Sequence, residues 1–142
     1  MSLLSMCLMY QQRGSKFAKA YASHSVKKGD YWKFYYDDTM ELLAKIPTWA
    51  AGIYRKKYHN GALIEPNADL DWAGNYAYMM GFNENPIKEC IRGYLSIHSD
   101  HEGGNVSAHT CHLVSSALAD PYLSYSAALN GLAGPLHGLA NQ

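Results

Sequence analysis

The sequence predicts an all-α protein, and three observations lead to that fold class. Apolar side chains recur at steps of three and four residues through most of the 142-residue chain. Gly, Pro, Asn and Asp fall at spacings typical of helix starts and ends. No window shows the sustained alternation of apolar and polar residues expected of a β-strand. We therefore expect several packed helices and no sheet.

The first half is predicted to contain four helices separated by turn residues. Gly29 breaks the first, Asp30 caps the second, and Pro47 ends the second and starts the third. Asp69 or Asp71 caps the fourth, which Gly81 terminates. In chain order these helices cover residues 16–27, 31–46, 48–59 and 69–80. Residues 1–10 are apolar, but they contain no basic residue and Arg13 follows them, so they resemble neither a signal peptide nor an Arg-rich transit peptide. Residues 1–15 therefore stay unassigned.

The second half continues the helical pattern. Pro86 stands at the first turn of one helix, Asp120-Pro121 caps and starts another, and Gly134-Pro135 leads into a last one. These predicted helices cover residues 85–97, 105–119 and 120–132, with the last beginning near 136, and residues 98–104 form a loop.

Composition limits the classes of partner. Lys plus Arg and Asp plus Glu number 12 each, which gives no strong field for nucleic acid or a membrane surface. Only 17% of residues are charged, against 48% hydrophobic, which is typical of a chain whose surface is largely covered by other protein. No apolar run reaches the ~20 residues that span a bilayer. Three cysteines without paired spacing predict no disulfide framework and a reducing compartment.

Residues 98–142 are the candidate functional stretch. They contain five of the seven histidines, and their charge is low. Glycines there would let backbone approach a ligand closely. The histidines are His98, His101, His109, His112 and His137, and the glycines are Gly103, Gly104, Gly131, Gly134 and Gly138.

Two kinds of site fit these histidines. His98 with His101, and His109 with His112, are three residues apart, so each pair could share a helical face as zinc ligands do. The order HSDHE, however, matches no common zinc-protease motif, and no cysteine has a ligand-like partner. The alternative is an anion site, in which imidazoles, a Gly-Gly turn and the helix start at Asn105 offer N–H donors to a carboxylate.

Two long segments, SDHEGGNVSAHT and DPY…AALNGLAGPLHGLANQ, resemble citrate synthase of the eukaryotic, mitochondrial type. Shorter segments (FAKAY, YWKFYYDDTMELLAKIP, AAGIYRKKY and LDWAGN) extend the resemblance to roughly residues 17–142. It implies that residues 16–142 are a helical part of the family's large domain, truncated at the C-terminus because family members are about three times longer. It also implies the mitochondrial matrix, although no transit peptide is visible.

The resemblance assigns roles to individual residues. His101 is the expected donor to the substrate oxaloacetate, His98 supports it or contacts substrate directly, and Asn105 either binds substrate or only caps its helix. His137 is the expected catalytic histidine that polarises the acetyl-CoA carbonyl. At the start of a helix its charged form would be disfavoured, so it would act as a neutral donor. Ser107 is expected to hold its tautomer.

His109 and His112 are predicted to be structural. They lie on the small-residue helix over 105–119, which the resemblance places in a homodimer interface. The implied reaction is condensation of acetyl-CoA with oxaloacetate, followed by hydrolysis of citryl-CoA to citrate and CoA, with no metal and no cofactor. The second catalytic histidine, the catalytic Asp and the substrate arginines are absent from these 142 residues, so the chain alone is expected to be inactive. A non-catalytic interaction or structural protein built on the same helical unit is the alternative.

Overall fold

The computed structural model describes residues 1–99 and 102–141, Asn141 by its backbone alone, and its architecture is all-α. No β-strand occurs in those residues, and none of their helices is long and apolar enough to cross a membrane. In chain order the helices are α1 (Ser2–Gln11), α2 (Lys16–Ala22), α3 (Tyr31–Tyr58), α4 (Trp72–Met80), α5 (Asn85–Ile97), α6 (Val106–Ser116) and α7 (Pro121–Leu132). Short 3-10 turns lie at Gln12–Gly14, Lys28–Asp30 and Gly138–Asn141. The predicted fold class is confirmed.

The chain divides into two compact units. The first unit comprises Met1–Leu43 and Glu102–Gln142, and the second comprises Ala44–His101. Helix α3 contributes residues to both of them.

Helix α7 forms the centre of the first unit, with α1 and α6 packed against it. Leu8 of α1 and Tyr122 of α7 are buried in its core. Small residues on α7 let α1 approach closely, and the hydroxyls of Ser5 and Ser126 are 2.7 Å apart. Residues 1–15, which the sequence left unassigned, therefore contain a helix, α1 (Ser2–Gln11), that packs into this unit.

A buried carboxylate joins α2 to the first part of α3. Asp38 has no solvent exposure and accepts hydrogen bonds from the Ser15 hydroxyl at 2.7 Å and from the Phe17 amide at 3.0 Å. Burial of a charge is costly unless hydrogen bonds satisfy it, and a further bond from the Lys16 amide completes the set. Helix α2 ends at Ala22, short of the predicted 27, and His24 then takes a positive φ of 53°.

The second unit packs α4 and α5 around a small core that includes Ala51, Met79 and Met80. Asp71 caps α4 by accepting from the Gly74 amide, and Gly81 ends α4 with a φ of 104°, as predicted. Arg92 of α5 donates to the Asp71 carboxylate at 2.6 Å and also pairs with Glu89. The Arg92 hydrogen bond, with that of the Gly74 amide, lowers the pKa of Asp71.

The prediction that Pro47 ends a helix was wrong. Helix α3 continues through Pro47, which is itself buried. An internal proline costs about 3 kcal/mol through its lost N–H and its ring. Burial of the apolar residues Leu42, Pro47 and Ala51 along the same helix offsets that cost.

Candidate active site at the start of helix α6

The first unit brings three of the predicted site residues together, namely Asn105, Ser107 and His137. The Ser107 Oγ lies 2.8 Å from His137 Nε2 and 2.8 Å from Asn105 Oδ1. All three residues are half-buried, so the group lies at the surface of the unit with one side open to solvent. An imidazole held by a hydroxyl and reachable from solvent is able to give or accept a hydrogen bond at its second ring nitrogen.

Asn105 is the N-cap of α6. Its side-chain oxygen accepts from the Ala108 amide at 3.0 Å, and its amide nitrogen donates to the Glu102 carbonyl at 2.9 Å. A cap of this kind satisfies one of the amides left unpaired at a helix start. The sequence left two roles open for Asn105. The structure shows that it caps α6, and its contact with substrate stays a prediction.

Close packing of α7 on α6 places Ser107 where it can meet His137. A Cβ on Gly131 would lie 3.1 Å from Val106 Cγ1 and 3.8 Å from the Ser107 Cα, so the helices approach closely because α7 has no side chain there. A Cβ on Gly138 would lie 2.6 Å from the Leu132 carbonyl oxygen, which only glycine avoids. These two glycines therefore set the backbone on either side of the Ser107–His137 contact.

The backbone after His137 differs from the prediction. Residues 135–137 form a turn, and Gly138–Asn141 is a 3-10 turn rather than an α-helix from about 136. A 3-10 turn of four residues has too few aligned peptide dipoles to disfavour the charged form of His137, as a full helix start was expected to do. The helix start near this imidazole is that of α6, through Ser107.

His98 lies in the second unit, at the C-terminal end of α5. Its imidazole is exposed, stacks on the Tyr94 ring at 4.0 Å between centroids, and its Nδ1 lies 2.8 Å from the Tyr94 carbonyl oxygen. A histidine that donates to a terminal carbonyl of its own helix stabilises the helix end. His101 falls outside the described residues, so its expected role stays a prediction.

The remaining histidines and the cysteines form no metal centre among the described residues, where no three His, Cys, Asp or Glu side chains lie together as ligands. His109 and His112 are exposed on α6. Burial raises the pKa of the Cys111 thiol, which keeps it protonated, whereas the thiolate is the metal-binding form.

Sequence reasoning named the members of this group but missed the bond between Asn105 and Ser107. The signal was present as the pattern Asn-x-Ser at a helix start, since an N-cap and the second helical residue lie close in space. The contact of Gly138 with Leu132 left no such signal, because it depends on how the chain turns after α7.

The helices and the Asn–Ser–His group together define an all-α protein in which the His137 imidazole contacts the first turn of α6 through Ser107. Comparison with known proteins identifies the family, since the model for "Citrate synthase, C-terminal domain" matches residues 1–142. The chain belongs to the citrate synthase family. The match also includes residues 1–16, which the quoted motifs did not reach.

Several curated relatives are similar over the whole chain. "Citrate synthase, mitochondrial" of Tetrahymena thermophila is 67% identical over 142 residues, which are 100% of this chain and 31% of that protein. The Kajikia audax protein of the same name is 57% identical over 100% of this chain and 30% of its own length. The chain thus spans about a third of the length of these relatives.

A solved structure supports the same fold. The crystal structure of citrate synthase from Pyrobaculum aerophilum superposes with a TM-score of 0.82 at 34% identity, over 97% of this chain and 35% of that one.

Proposed function

We propose that this chain supplies part of the active site of a citrate synthase, with His137 acting on acetyl-CoA. In the proposed reaction a carboxylate base removes a methyl proton while His137 stabilises the forming enol. The enol attacks the oxaloacetate carbonyl, and water then cleaves citryl-CoA to citrate and CoA. The observation that carries the proposal is the 2.8 Å contact between Ser107 and His137, in a chain matched throughout by the family model.

The proposal divides the histidines by role. His101 donates to oxaloacetate, His98 supports His101 or contacts the substrate itself, and Asn105, the cap of α6, is a further candidate contact of the substrate. The carboxylate base, the second catalytic histidine and the substrate arginines are not among these 142 residues, so the proposal concerns this segment's share of the reaction. The relatives' names also support a mitochondrial location, and we propose the matrix as the compartment.

A chimera tests this function. These 142 residues would replace the matching segment of the Tetrahymena thermophila relative, with which they share 67% identity. The chimera should form citrate from acetyl-CoA and oxaloacetate. A folded chimera that binds neither substrate would favour a non-catalytic structural role instead.

His137→Ala in the chimera should reduce turnover by ~100- to 1,000-fold, the usual effect of losing one hydrogen-bond donor to the charge that develops in the transition state. Oxaloacetate affinity should be largely kept, because the lost interaction strengthens only as the enol forms. His101→Ala should instead weaken oxaloacetate binding together with turnover. If His137→Ala mainly weakens oxaloacetate and keeps exchange of the acetyl methyl protons, the two roles are reversed.

We also propose that the site works without metal and without a cofactor. Treatment of the chimera with a chelator should change neither its melting temperature nor its turnover. Stoichiometric zinc that survives dialysis and is lost in His98→Ala would contradict this.

We further propose a homodimer through residues 105–119. The support is the apolar surface of this region, where Val106 is 58% exposed and Leu113 63% exposed. An exposed apolar patch of this kind marks a protein interface. Leu113→Glu should shift the chimera from dimer to monomer in sedimentation, whereas Leu63→Glu, equally exposed in a loop, should not.

A further inference from the structure

The orientation of the Asn105 side chain is fixed from two sides. The Ala108 amide can donate only to an oxygen, and it lies 3.0 Å from Oδ1. The Glu102 carbonyl can accept only from a nitrogen, and it lies 2.9 Å from Nδ2. Both contacts agree on which end of the amide is oxygen, so the atom that faces the Ser107 hydroxyl at 2.8 Å is an acceptor.

The Ser107 hydroxyl has one hydrogen for two neighbours. Asn105 Oδ1 can only accept, so the hydroxyl hydrogen must go to it. Ser107 Oγ then presents a lone pair to His137 Nε2 at 2.8 Å, and this contact is a hydrogen bond only if Nε2 carries the hydrogen. In a neutral imidazole the other nitrogen, Nδ1, is consequently bare and able only to accept.

We propose that Asn105 is a positioning residue that sets the tautomer of His137 through Ser107. It holds the free protein in the Nε2–H form, with Nδ1 as an acceptor. The inference rests on the proposed function in one respect, that His137 is the residue that acts on substrate. Asn105 therefore has a role in the site beyond capping α6, and that role needs no contact between Asn105 and substrate.

The proposed donation to acetyl-CoA requires the opposite tautomer. For Nδ1 to donate, the Ser107 hydrogen turns from Asn105 Oδ1 to His137 Nε2. Nε2 releases its proton to solvent, and Nδ1 takes one from solvent. The imidazole stays neutral and no net proton is gained. The change breaks the Ser107–Asn105 hydrogen bond, so Asn105 opposes the donor form until substrate binding compensates for that loss.

His98 provides an internal reference, because its neutral ring is expected to be the opposite tautomer. Its Nδ1 faces the Tyr94 carbonyl oxygen at 2.8 Å, and a carbonyl only accepts, so its neutral form carries the hydrogen on Nδ1. One spectrum of the protein should thus contain both tautomers.

The test is a long-range ¹H–¹⁵N correlation spectrum of the ¹⁵N-labelled 142-residue chain, recorded at an alkaline pH beyond which the ring ¹⁵N shifts no longer change. His137→Gln and His98→Gln identify the two rings by the loss of their signals. The expected pattern is Nε2–H for His137 and Nδ1–H for His98. An Nδ1–H tautomer for His137 in the free protein would overturn the proposal.

Two variants separate positioning from capping. Asn105→Gly removes the acceptor but weakens the cap by only a few tenths of a kcal/mol. It should free the Ser107 hydrogen for Nε2 and move His137 toward Nδ1–H. Asn105→Asp keeps an acceptor at the same place and should keep Nε2–H. Asp71→Gly, which alters a cap in the other unit, should leave His137 unchanged. A wild-type tautomer in Asn105→Gly with unchanged helical circular dichroism would overturn the proposal, as would an equal shift in Asp71→Gly.

The readout needs no catalysis, so it separates the two proposals. An active chimera whose free form has His137 as Nδ1–H would contradict the tautomer assignment alone. An inactive chimera with His137 as Nε2–H would contradict the proposed function alone.

Discussion

Helices α6 and α7 are neighbours in the first unit, and their N-terminal ends are capped for different purposes. Asp120, the cap of α7, is only 3% exposed and accepts from the Tyr122 and Leu123 amides and from the Gln12 side chain. Asn105, the cap of α6, is half-buried and shares its oxygen between the Ala108 amide and the Ser107 hydroxyl. All the contacts described for Asp120 fix the fold, whereas one contact of Asn105 leads to a histidine open to solvent.

The difference explains why the two helix starts have different capping side chains. A carboxylate suits the start of α7 because three donors satisfy it there. A neutral amide suits the start of α6 because it fixes a hydroxyl beside His137 without adding a charge to the site. The α7 end should therefore govern stability, and the α6 end should govern chemistry.

The largest expected effect on stability comes from the α7 cap. Asp120→Ala leaves two amides and the Gln12 side chain without their acceptor near the core, and should lower the free energy of unfolding by about 2 to 3 kcal/mol. Asn105→Gly should lower it by only a few tenths. Urea unfolding of the chain measures both values. Equal losses would remove the distinction between the two helix ends.

A second large effect is expected at the turn after α7. Gly138→Ala forces a Cβ to within 2.6 Å of the Leu132 carbonyl oxygen, and such overpacking costs about 1 to 3 kcal/mol. Gly104→Ala is the matched control, because nothing lies within 4 Å of its added Cβ. Thermal melts should show a clear fall for Gly138→Ala only. An unchanged melt would mean that the backbone beside His137 can relax.

A pH-dependent effect should appear at the buried start of α7. Burial, with the nearby Glu41 and Asp38 carboxylates, raises the pKa of Tyr122 to about 12. The unfolded chain ionises this tyrosine near pH 10, so its contribution to stability is complete below about pH 10 and is lost as the pH rises toward 12. Tyr122→Phe should reduce that alkaline loss, measured as melting temperature against pH. The same alkaline loss in Tyr122→Phe would assign it to other groups.

The smallest expected effect is at the contact between α6 and α7. Gly131→Ala gains about 1 kcal/mol of helix propensity but brings a Cβ to 3.1 Å from Val106 Cγ1, so the two effects nearly cancel. Its melting temperature should stay close to that of the parent chain. A loss as large as that of Gly138→Ala would show that the helices cannot separate slightly at this point.

Local chemistry made much of the fold predictable. Asp71, Asp120 and Gly81 cap or end the helices that the sequence assigned to them, because caps depend on residues close in the chain. Pro47 misled the prediction because burial outweighed a local preference. Residues 1–15 were left unassigned from the sequence, yet Ser2–Gln11 form α1, which packs on α7.

The residues of the candidate site were predictable from the sequence, but the hydrogen bonds that connect them were not. Motif resemblance named Asn105, Ser107 and His137, and the fold brings them together. The orientation of the Asn105 amide depends on the Glu102 carbonyl and the Ala108 amide, which no residue pattern specifies. The His137 tautomer follows from that orientation, so it required coordinates.

The turnover of a Ser107→Ala chimera tests the division between the two helix ends most directly. Ser107 orients His137 but does not cap α6, and alanine is the better helix former. Turnover should fall by about 10- to 100-fold, by analogy with hydrogen-bond partners that orient metal-bound histidines, while the melting temperature stays at or above that of the parent chimera. Unchanged turnover with a lowered melting temperature would contradict the account, because it would make the Ser107–His137 contact a structural one.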